Sequence, residues 1–373
     1  MAPSPAVGAR LDDAAARART DPADALGDVE RTPELWKTAR DVALPAVDLS
    51  QVRLAVVAGV GGSGVAADVV AALAAQRAAV PVITHKRGTL PSWVGPGVLV
   101  VACSHSGGTT EVRAVAAAAA DAGAQVVTLS AGGPLAALAA ERRLPAVVVP
   151  GGPPPRHALA SLVVPLLRLL DLDGALDEAV DRLDQRAGAL GREVPLDDNP
   201  AKQLGAALAD GRVPVVFGGP DLAAVVAARL KTQLNENAKL PVLAGALPDL
   251  AHHEVMGWER PGPLDERVRL VWVRDPLAEE DGACGSPPPA SAIAEVSRLL
   301  ARRGAPVAEL TAEGESRIER LATLLLGVDL VSVYAALARG VDPSPIATID
   351  ALKALPCDED FARPDRAGGD DRV

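Results

Sequence analysis

The sequence predicts an α/β protein of two consecutive domains, each a doubly wound, flavodoxin-like parallel sheet flanked by helices. Three observations carry that expectation. Short apolar, β-branched runs are each followed by a glycine-rich or hydroxyl-rich turn and then by a helical stretch, in both halves of the chain. At 373 residues the chain is too long for one ordinary domain and long enough for two α/β cores. Its composition is 49% hydrophobic but only 2% aromatic, so the core must be filled by Ala, Val and Leu, which suits helices lying on parallel strands.

Residues 1–50 read as a polar, alanine-rich lead-in with a helix over Pro33–Arg40. The first domain, 51–175, opens on the strand Arg53–Ala58, the turn GVGGSG (Gly59–Gly64) and a helix over Val65–Ala75. Gly59, Gly61 and Gly64 reproduce G-x-G-x-x-G, but the next strand, Val80–Thr84, runs into His85, Lys86 and Arg87 instead of the acidic residue that would take a ribose. A nucleotide site is therefore the lesser reading of that turn. The stretch Gly97–Gly123 says more. Val98–Ala102 predicts a strand buried on both faces, SHSGGTTE (Ser104–Glu111) follows, and a helix runs over Val112–Ala120. Ser104, Ser106, Thr109 and Thr110 thus crowd a helix N-terminus whose free N–H groups suit a phosphate without any lysine. An ordinary N-cap would explain one hydroxyl, not four beside two glycines. Ser63 adds a hydroxyl on the same sheet edge.

The alternation continues through the strand Gln125–Leu129, the turn Ser130–Gly133, a helix over Pro134–Arg142 and the strand Ala146–Val149. GGPPPR (Gly151–Arg156) is expected to open a helix running through Leu170, which puts Arg156 at a helix start, where the dipole mildly disfavours a cation. That misplacement singles it out. A charged helical connector, 176–199, leads into the second domain, 200–356, with the strand Val213–Phe217, the turn Gly218–Asp221 and a helix over Leu222–Lys239. The loop LPDLAHHEVMGWE (Leu247–Glu259) precedes a strand at Arg267–Val273, and a polar excursion over Asp275–Ala290 follows. Helices are then predicted over Ala292–Arg303 and Ser316–Arg339, with a last helix before Pro356 and a disordered tail over 357–373.

Glu236 lies near the end of the long second-half helix between Asn235 and Asn237, on a stripe with Val225, Arg229 and Thr232 beside the apolar stripe of Val226, Leu230 and Leu234. A single helical Glu is usually solvated, but two poor helix formers around it argue for a shaped polar site. His252 and His253, being adjacent, point to different sides and make a poor metal site. His85, His105 and His157 carry no assignment. The net charge of −11 and pI near 5.0 argue against nucleic acid or an anionic membrane as partners. Apolar runs such as Leu54–Val60 are shorter than a membrane span, and the first residues lack the apolar core of a signal peptide, so a cytoplasmic location is expected. Cys103, Cys284 and Cys357 are too widely spaced for a disulfide framework or a zinc pattern and read as structural or incidental.

Together, Gly59–Asp68, Ser104–Glu111, Gly151–Arg156, Gln233–Lys239 and Pro248–Trp258 resemble the bifunctional phosphoglucose/phosphomannose isomerases of the sugar isomerase (SIS) domain superfamily. The resemblance spans about residues 50–355. It implies two SIS domains, a homodimer whose active sites are shared between subunits, a sugar 6-phosphate substrate, and aldose–ketose isomerisation through a cis-enediol without metal or organic cofactor. Carried over residue by residue, the phosphate grip falls on Ser104, Ser106 and Thr109, and Gly62 and Ser63 match the turn that approaches the sugar. Arg156 matches the arginine facing the enediolate, Glu236 the base, His252 the ring-opening histidine donated across the dimer, and Lys353 a lysine of the final helix. The chain departs from the family where His105 replaces the usual aromatic, where Gly108 precedes Thr109 in place of Asn, and where AHHE (Ala251–Glu254) replaces NHNE. Ser344, Ile346 and Thr348 each could stand for the small hydroxyl residue linked to accepting both epimers, which leaves the epimer range open.

A rival from another class is a sugar-phosphate-binding SIS protein that regulates without turnover. The loop departures favour it; retention of Arg156, Glu236 and His252 weighs against it. An amidotransferase would need a cysteine where the chain has Ala2, a DNA-binding regulator a basic helix-turn-helix, and a zinc isomerase a clustered ligand set that five scattered histidines do not supply.

Overall fold

The β-branched runs form strands, and the runs between glycine turns form the helices that cover them. The structure, a computed structural model, describes residues 5–280 and 287–355. Cys284, Cys357, part of the polar excursion and the tail expected to be disordered lie outside the described residues. The lead-in is more structured than one helix: it folds as α1 (Pro5–Asp12), α2 (Ala14–Thr20), α3 (Ala25–Glu30) and α4 (Thr32–Arg40).

The first sheet is built from β1 (Leu54–Ala58), β2 (Val82–His85), β3 (Val98–Cys103), β4 (Gln125–Ser130) and β5 (Ala146–Val148), all parallel, in the order β2-β1-β3-β4-β5. Between them run α5 (Gly62–Arg77), α6 (Thr110–Asp121) and α7 (Gly133–Arg142). Every residue of β3 is buried, as a strand with helices on both faces requires. The strand order is the flavodoxin-like one, so its topological switch point falls between β1 and β3, beyond their C-terminal ends.

Next come α8 (Ala160–Leu169), α9 (Leu176–Leu190) and α10 (Pro200–Ala207). The segment expected as a connector is no loose linker, because α9 packs on both α4 and the later helix α14 (Arg317–Arg339). The second sheet takes β6 (Val213–Gly218), β7 (Leu243–Ala246), β8 (Val268–Arg274) and β9 (Val307–Thr311) in the parallel order β7-β6-β8-β9. It is the first sheet's pattern less one strand, with α11 (Leu222–Glu236), α12 (Pro276–Glu279) and α13 (Pro289–Arg302) around it. Strands β7 and β9 were not anticipated. LAGA and VAELT carry little β-propensity, and their pairing with β6 and β8 decides their state.

Three further expectations are corrected. The helix after GGPPPR begins at Ala160, so Arg156 sits in a turn ahead of it and not in its first turn. Helix α11 ends at Glu236 instead of Lys239, because Asn237 is its C-cap and Lys239 takes a left-handed φ of 54°. Not all apolar runs are short: α14, at 23 residues, is long and apolar enough to cross a membrane, yet its most apolar window is wholly buried inside the protein. Residues up to Pro343 form one compact body, and the piece from Ser344 onward contributes α15 (Ala347–Lys353) among the described residues.

With so few aromatic residues, the second sheet's core leans on two of them. Trp272 of β8 is fully buried, meets Phe217 of β6 edge-on at 5.5 Å between ring centroids, and donates its indole N–H to Ser297 Oγ at 2.9 Å. Trp272→Ala is expected to cost about 3–5 kcal/mol in a urea titration, and Trp272→Phe markedly less, since it refills most of the space but leaves the Ser297 hydroxyl unpaired. Equal losses from both would show that packing volume does not set the stability of this core.

Candidate active site

Strand β3 delivers Ser104 to the switch point of the first sheet, with its N–H donating to Leu129 O of β4 at 3.0 Å. The loop that follows is pressed against the β4–α7 turn. Gly107 has φ 67°, its carbonyl accepts the Leu135 N–H at 2.9 Å, and a Cβ there would lie 1.9 Å from Gly132 O, so only glycine fits. Thr109 occupies the N-cap of α6 but its side chain does not cap the helix; its hydroxyl shares a 2.9 Å hydrogen bond with Ser104 Oγ instead. The first-turn N–H groups of α6 are thereby left without a side-chain acceptor from the cap, which is the condition an anion site requires. Ser106 is exposed and its Oγ accepts from the Gly108 N–H at 3.2 Å.

The β1–α5 turn joins this loop to the next part of the site. Ser63 Oγ accepts the His105 N–H at 3.3 Å and lies near the Cys103 thiol. Burial pushes that thiol up to about 12, which suits the structural reading of Cys103. Gly62 faces the Arg156 turn: a Cβ on it would meet Pro155 O at 3.1 Å. His105, unassigned from sequence, is buried under the loop with no hydrogen-bond partner for Nε2 among the described residues, and desolvation holds its pKa below the ordinary value.

Arg156 is buried and held from three directions. Its Nε donates to Asn237 Oδ1 at 3.0 Å, its Nη2 to Pro343 O at 3.3 Å, and its own carbonyl accepts from Arg229 Nη2 at 2.9 Å. Arg229 in turn forms a buried two-pronged pair with Asp329 of α14, at 2.8 Å and 2.6 Å. Gln233 Nε2 donates to the same carboxylate at 3.1 Å. Burial lowers the Arg156 pKa, and the charges of Glu236, Asp28 and Asp342 push back. Glu236 is half-buried beside it at the end of α11. Lys239 Nζ donates to the carbonyls of Glu236 and Pro343; desolvation and then the like charge of Arg156 lower its pKa, against Asp342 and Glu236.

Gly62, Ser63, Ser104, Ser106, Thr109, Arg156 and Glu236 are therefore linked through a continuous set of neighbours. One of the expected residues of the same body is not joined to them by a side-chain hydrogen bond. His252 stands exposed directly after the short 3-10 helix Asp249–Ala251 beyond β7, and its side chain makes no hydrogen bond or ion pair among the described residues. Lys353 is exposed in the last turn of α15. Sequence reasoning missed Arg229, Gln233, Asn237 as a buried unit with Asp329 and Ser332. The available signal was their i, i+4, i+8 spacing on α11, and two polar residues three apart in the apolar run of α14.

Comparison with known proteins shows what the chain is similar to. The family model described as the bacterial phospho-glucose isomerase C-terminal SIS domain matches residues 197–355. The bifunctional phosphoglucose/phosphomannose isomerase of Aquifex aeolicus is 31% identical over 313 residues, covering 83% of this chain and 92% of its own. That of Caldicellulosiruptor bescii is 28% identical over 333 residues, covering 87% and 94%. In fold, the C-terminal domain of glucosamine-fructose-6-phosphate aminotransferase from Francisella tularensis superposes with a TM-score of 0.66 at 15% identity, covering 86% of this chain and 98% of that one.

Two outcomes test the loop. Ser106→Ala with Thr109→Ala should weaken binding of a sugar phosphate, read by calorimetry, by one to two orders of magnitude, while the melting temperature moves little. Unchanged affinity would remove the anion site from this loop. For His105, the unfolded chain takes a proton near its ordinary value of 6.5 that the folded protein resists. Stability should therefore decline as pH falls through about 6.5, and less in His105→Phe. Parallel curves of melting temperature against pH for the two proteins would show that burial does not depress the His105 pKa.

Proposed function

The chain belongs to the bifunctional phosphoglucose/phosphomannose isomerase family, and from that premise we propose that it interconverts glucose 6-phosphate, mannose 6-phosphate or both with fructose 6-phosphate through a cis-enediol. The observation that carries the reading is the placement of Glu236 beside the buried Arg156, one turn of chain away from Gly62, with Ser63 tying that turn to the hydroxyl loop. A phosphate on the α6 N-terminus and the Ser104, Ser106 and Thr109 hydroxyls anchors one end of the substrate. Gly62 and Ser63, without bulk, let the sugar chain lie against the sheet edge.

At the other end the chemistry needs little. Glu236 takes the proton from C2 of the aldose and returns it to C1, so one carboxylate serves both carbons. The enediolate oxygen that grows negative meanwhile faces the Arg156 guanidinium, a fixed cation in a desolvated place. Protons move and no redox partner is consumed; Glu236 ends as it began. Ring opening precedes this step and is assigned to His252. Because His252 is exposed and its side chain bonds neither Arg156 nor Glu236 within one chain, its role goes with a homodimer in which each site receives the histidine of a second subunit. For Lys353 the family likeness supplies the support. A cytoplasmic location goes with the reading.

The decisive experiment is a coupled assay with each aldose 6-phosphate on the purified protein and its variants. Glu236→Gln keeps size and hydrogen bonding but removes the base, so substrate binding should survive while turnover falls by about two to four orders of magnitude. His252→Ala should be slow chiefly on the cyclic sugar. Mixing the two inactive homodimers under exchange conditions should then yield activity that neither parent has. A wild type that binds fructose 6-phosphate without turning over either aldose would favour the regulatory protein, and full activity in both variants would sink these assignments.

A further inference from the structure

Arg156 enters the site from a turn, so nothing in a helix or strand fixes the direction of its guanidinium; its neighbours must. The neighbours form a directed relay. Arg156 Nε donates to Asn237 Oδ1 at 3.0 Å, Asn237 Nδ2 donates to Ser332 Oγ at 2.9 Å, and Ser332 Oγ donates to Asp329 O at 2.7 Å. Asn237 and Ser332 are both fully buried, so no water is at hand to substitute for a missing partner.

The hydrogen inventory fixes the polarity of that relay. Ser332 has one hydroxyl proton, and the Asp329 carbonyl, which can only accept, takes it. What Ser332 has left is acceptor capacity, and the Asn237 amide turns its NH₂ toward it. Its oxygen then faces Arg156. Turned the other way, the amide would set donor against donor at the guanidinium, which can only donate. Helix spacing supports the same arrangement, since Asp329 and Ser332 lie three apart on one face of α14 and meet Arg229, Gln233 and Asn237, four apart on α11. Asp329 therefore grips Arg156 twice: its carboxylate through Arg229 to the Arg156 carbonyl, and its carbonyl through Ser332 and Asn237 to the Arg156 side chain.

We propose that Asn237 and Ser332 are positioning residues for the isomerase, a buried relay that aims the Arg156 guanidinium at the developing enediolate. The inference rests on the reading of Arg156 given above. An enediolate stabiliser has to be in place before charge appears, and a displacement of about 1 Å can cost on the order of 100-fold in rate.

The test is a double-mutant cycle in kcat with Arg156→Lys, which keeps the charge but lacks the Nε–H that Asn237 receives. Asn237→Ala should lower kcat by about 10- to 100-fold with KM within about twofold, because the phosphate loop is untouched. Ser332→Ala should lower it less, in the same direction. In the Arg156→Lys background neither change should slow the enzyme further. A merely structural role would instead multiply the losses, and multiplied losses, or wild-type kcat in Asn237→Ala, would overturn the proposal. If Asn237→Ala fails to fold, Ser332→Ala carries the cycle alone under the same criteria. Arg156→Lys at full kcat would remove the catalytic reading of Arg156 and this inference with it, whereas a slow Arg156→Lys with multiplying losses would remove this inference only.

Discussion

Helix α14 has no water along it: from Ile318 to Ala338 every residue is buried. A polar group on such a helix must be satisfied by protein or not at all. Asp329 is the most demanding of them, and the structure answers it with Arg229 and Gln233 from α11. A buried ion pair contributes little net stability once desolvation is counted, but it tolerates only one register between the helices that share it. Here the register has a consequence. Glu236 precedes Asn237 by one residue, about 100° around the helix, so when Arg229, Gln233 and Asn237 face Asp329 and Ser332, Glu236 is turned off the buried face toward Arg156. The position of the proposed base follows from satisfying a carboxylate on another helix.

The sheets contribute the other half of the site. A parallel sheet aims all its strand C-termini at one edge, and in the order β2-β1-β3-β4-β5 the connections leave β1 and β3 in opposite directions there. Both loops at that divergence are the ones that carry Gly62–Ser63 and Ser104–Thr109. A chain of net charge −11 has no long-range attraction to offer a phosphate, so the grip has to be local. In the proposed site that grip falls to helix N–H groups and hydroxyls, which add no cation of their own beside Arg156.

Much of this was legible in the sequence because it is local. Period, turn chemistry and hydroxyl clustering identified β1 to β6, β8 and the loop Ser104–Glu111, since each depends on residues adjacent in the chain. What the sequence concealed depends on partners far along it. LAGA becomes β7 only because β6 offers it a ladder, and Arg156 stays in a turn ahead of α8, where its carbonyl accepts from Arg229, 73 residues on. Arg229 was visible only as one member of a mixed stripe. Its burial could be inferred from the sequence only by asking what would satisfy Asp329 in an apolar run 100 residues away, a question that single-helix periodicity does not pose. The family resemblance reached Arg156 and Glu236 directly, but it carried no account of why they stay where they are.

The second sheet repeats the topology of the first, and so it has a switch point of its own, between β6 and β8. That place is closed. Asp275, directly after β8, is fully buried with Arg320 Nε 2.9 Å from its carboxylate. Glu279, buried at the end of α12, is held by Arg274 Nε at 3.0 Å and lies so close to the β6–α11 turn that a Cβ on Gly219 would come within 3.0 Å of its Oε1. Where the first sheet presents hydroxyls and uncapped N–H groups, the second has filled the equivalent edge with its own carboxylates and matched each to an arginine. An anion arriving there would meet two negative groups already paired. Two copies of one fold thus differ at the equivalent edge: the first leaves hydroxyls and helix N–H groups there, while the second spends its polar groups on internal pairs and contributes the long helix whose far end carries Glu236.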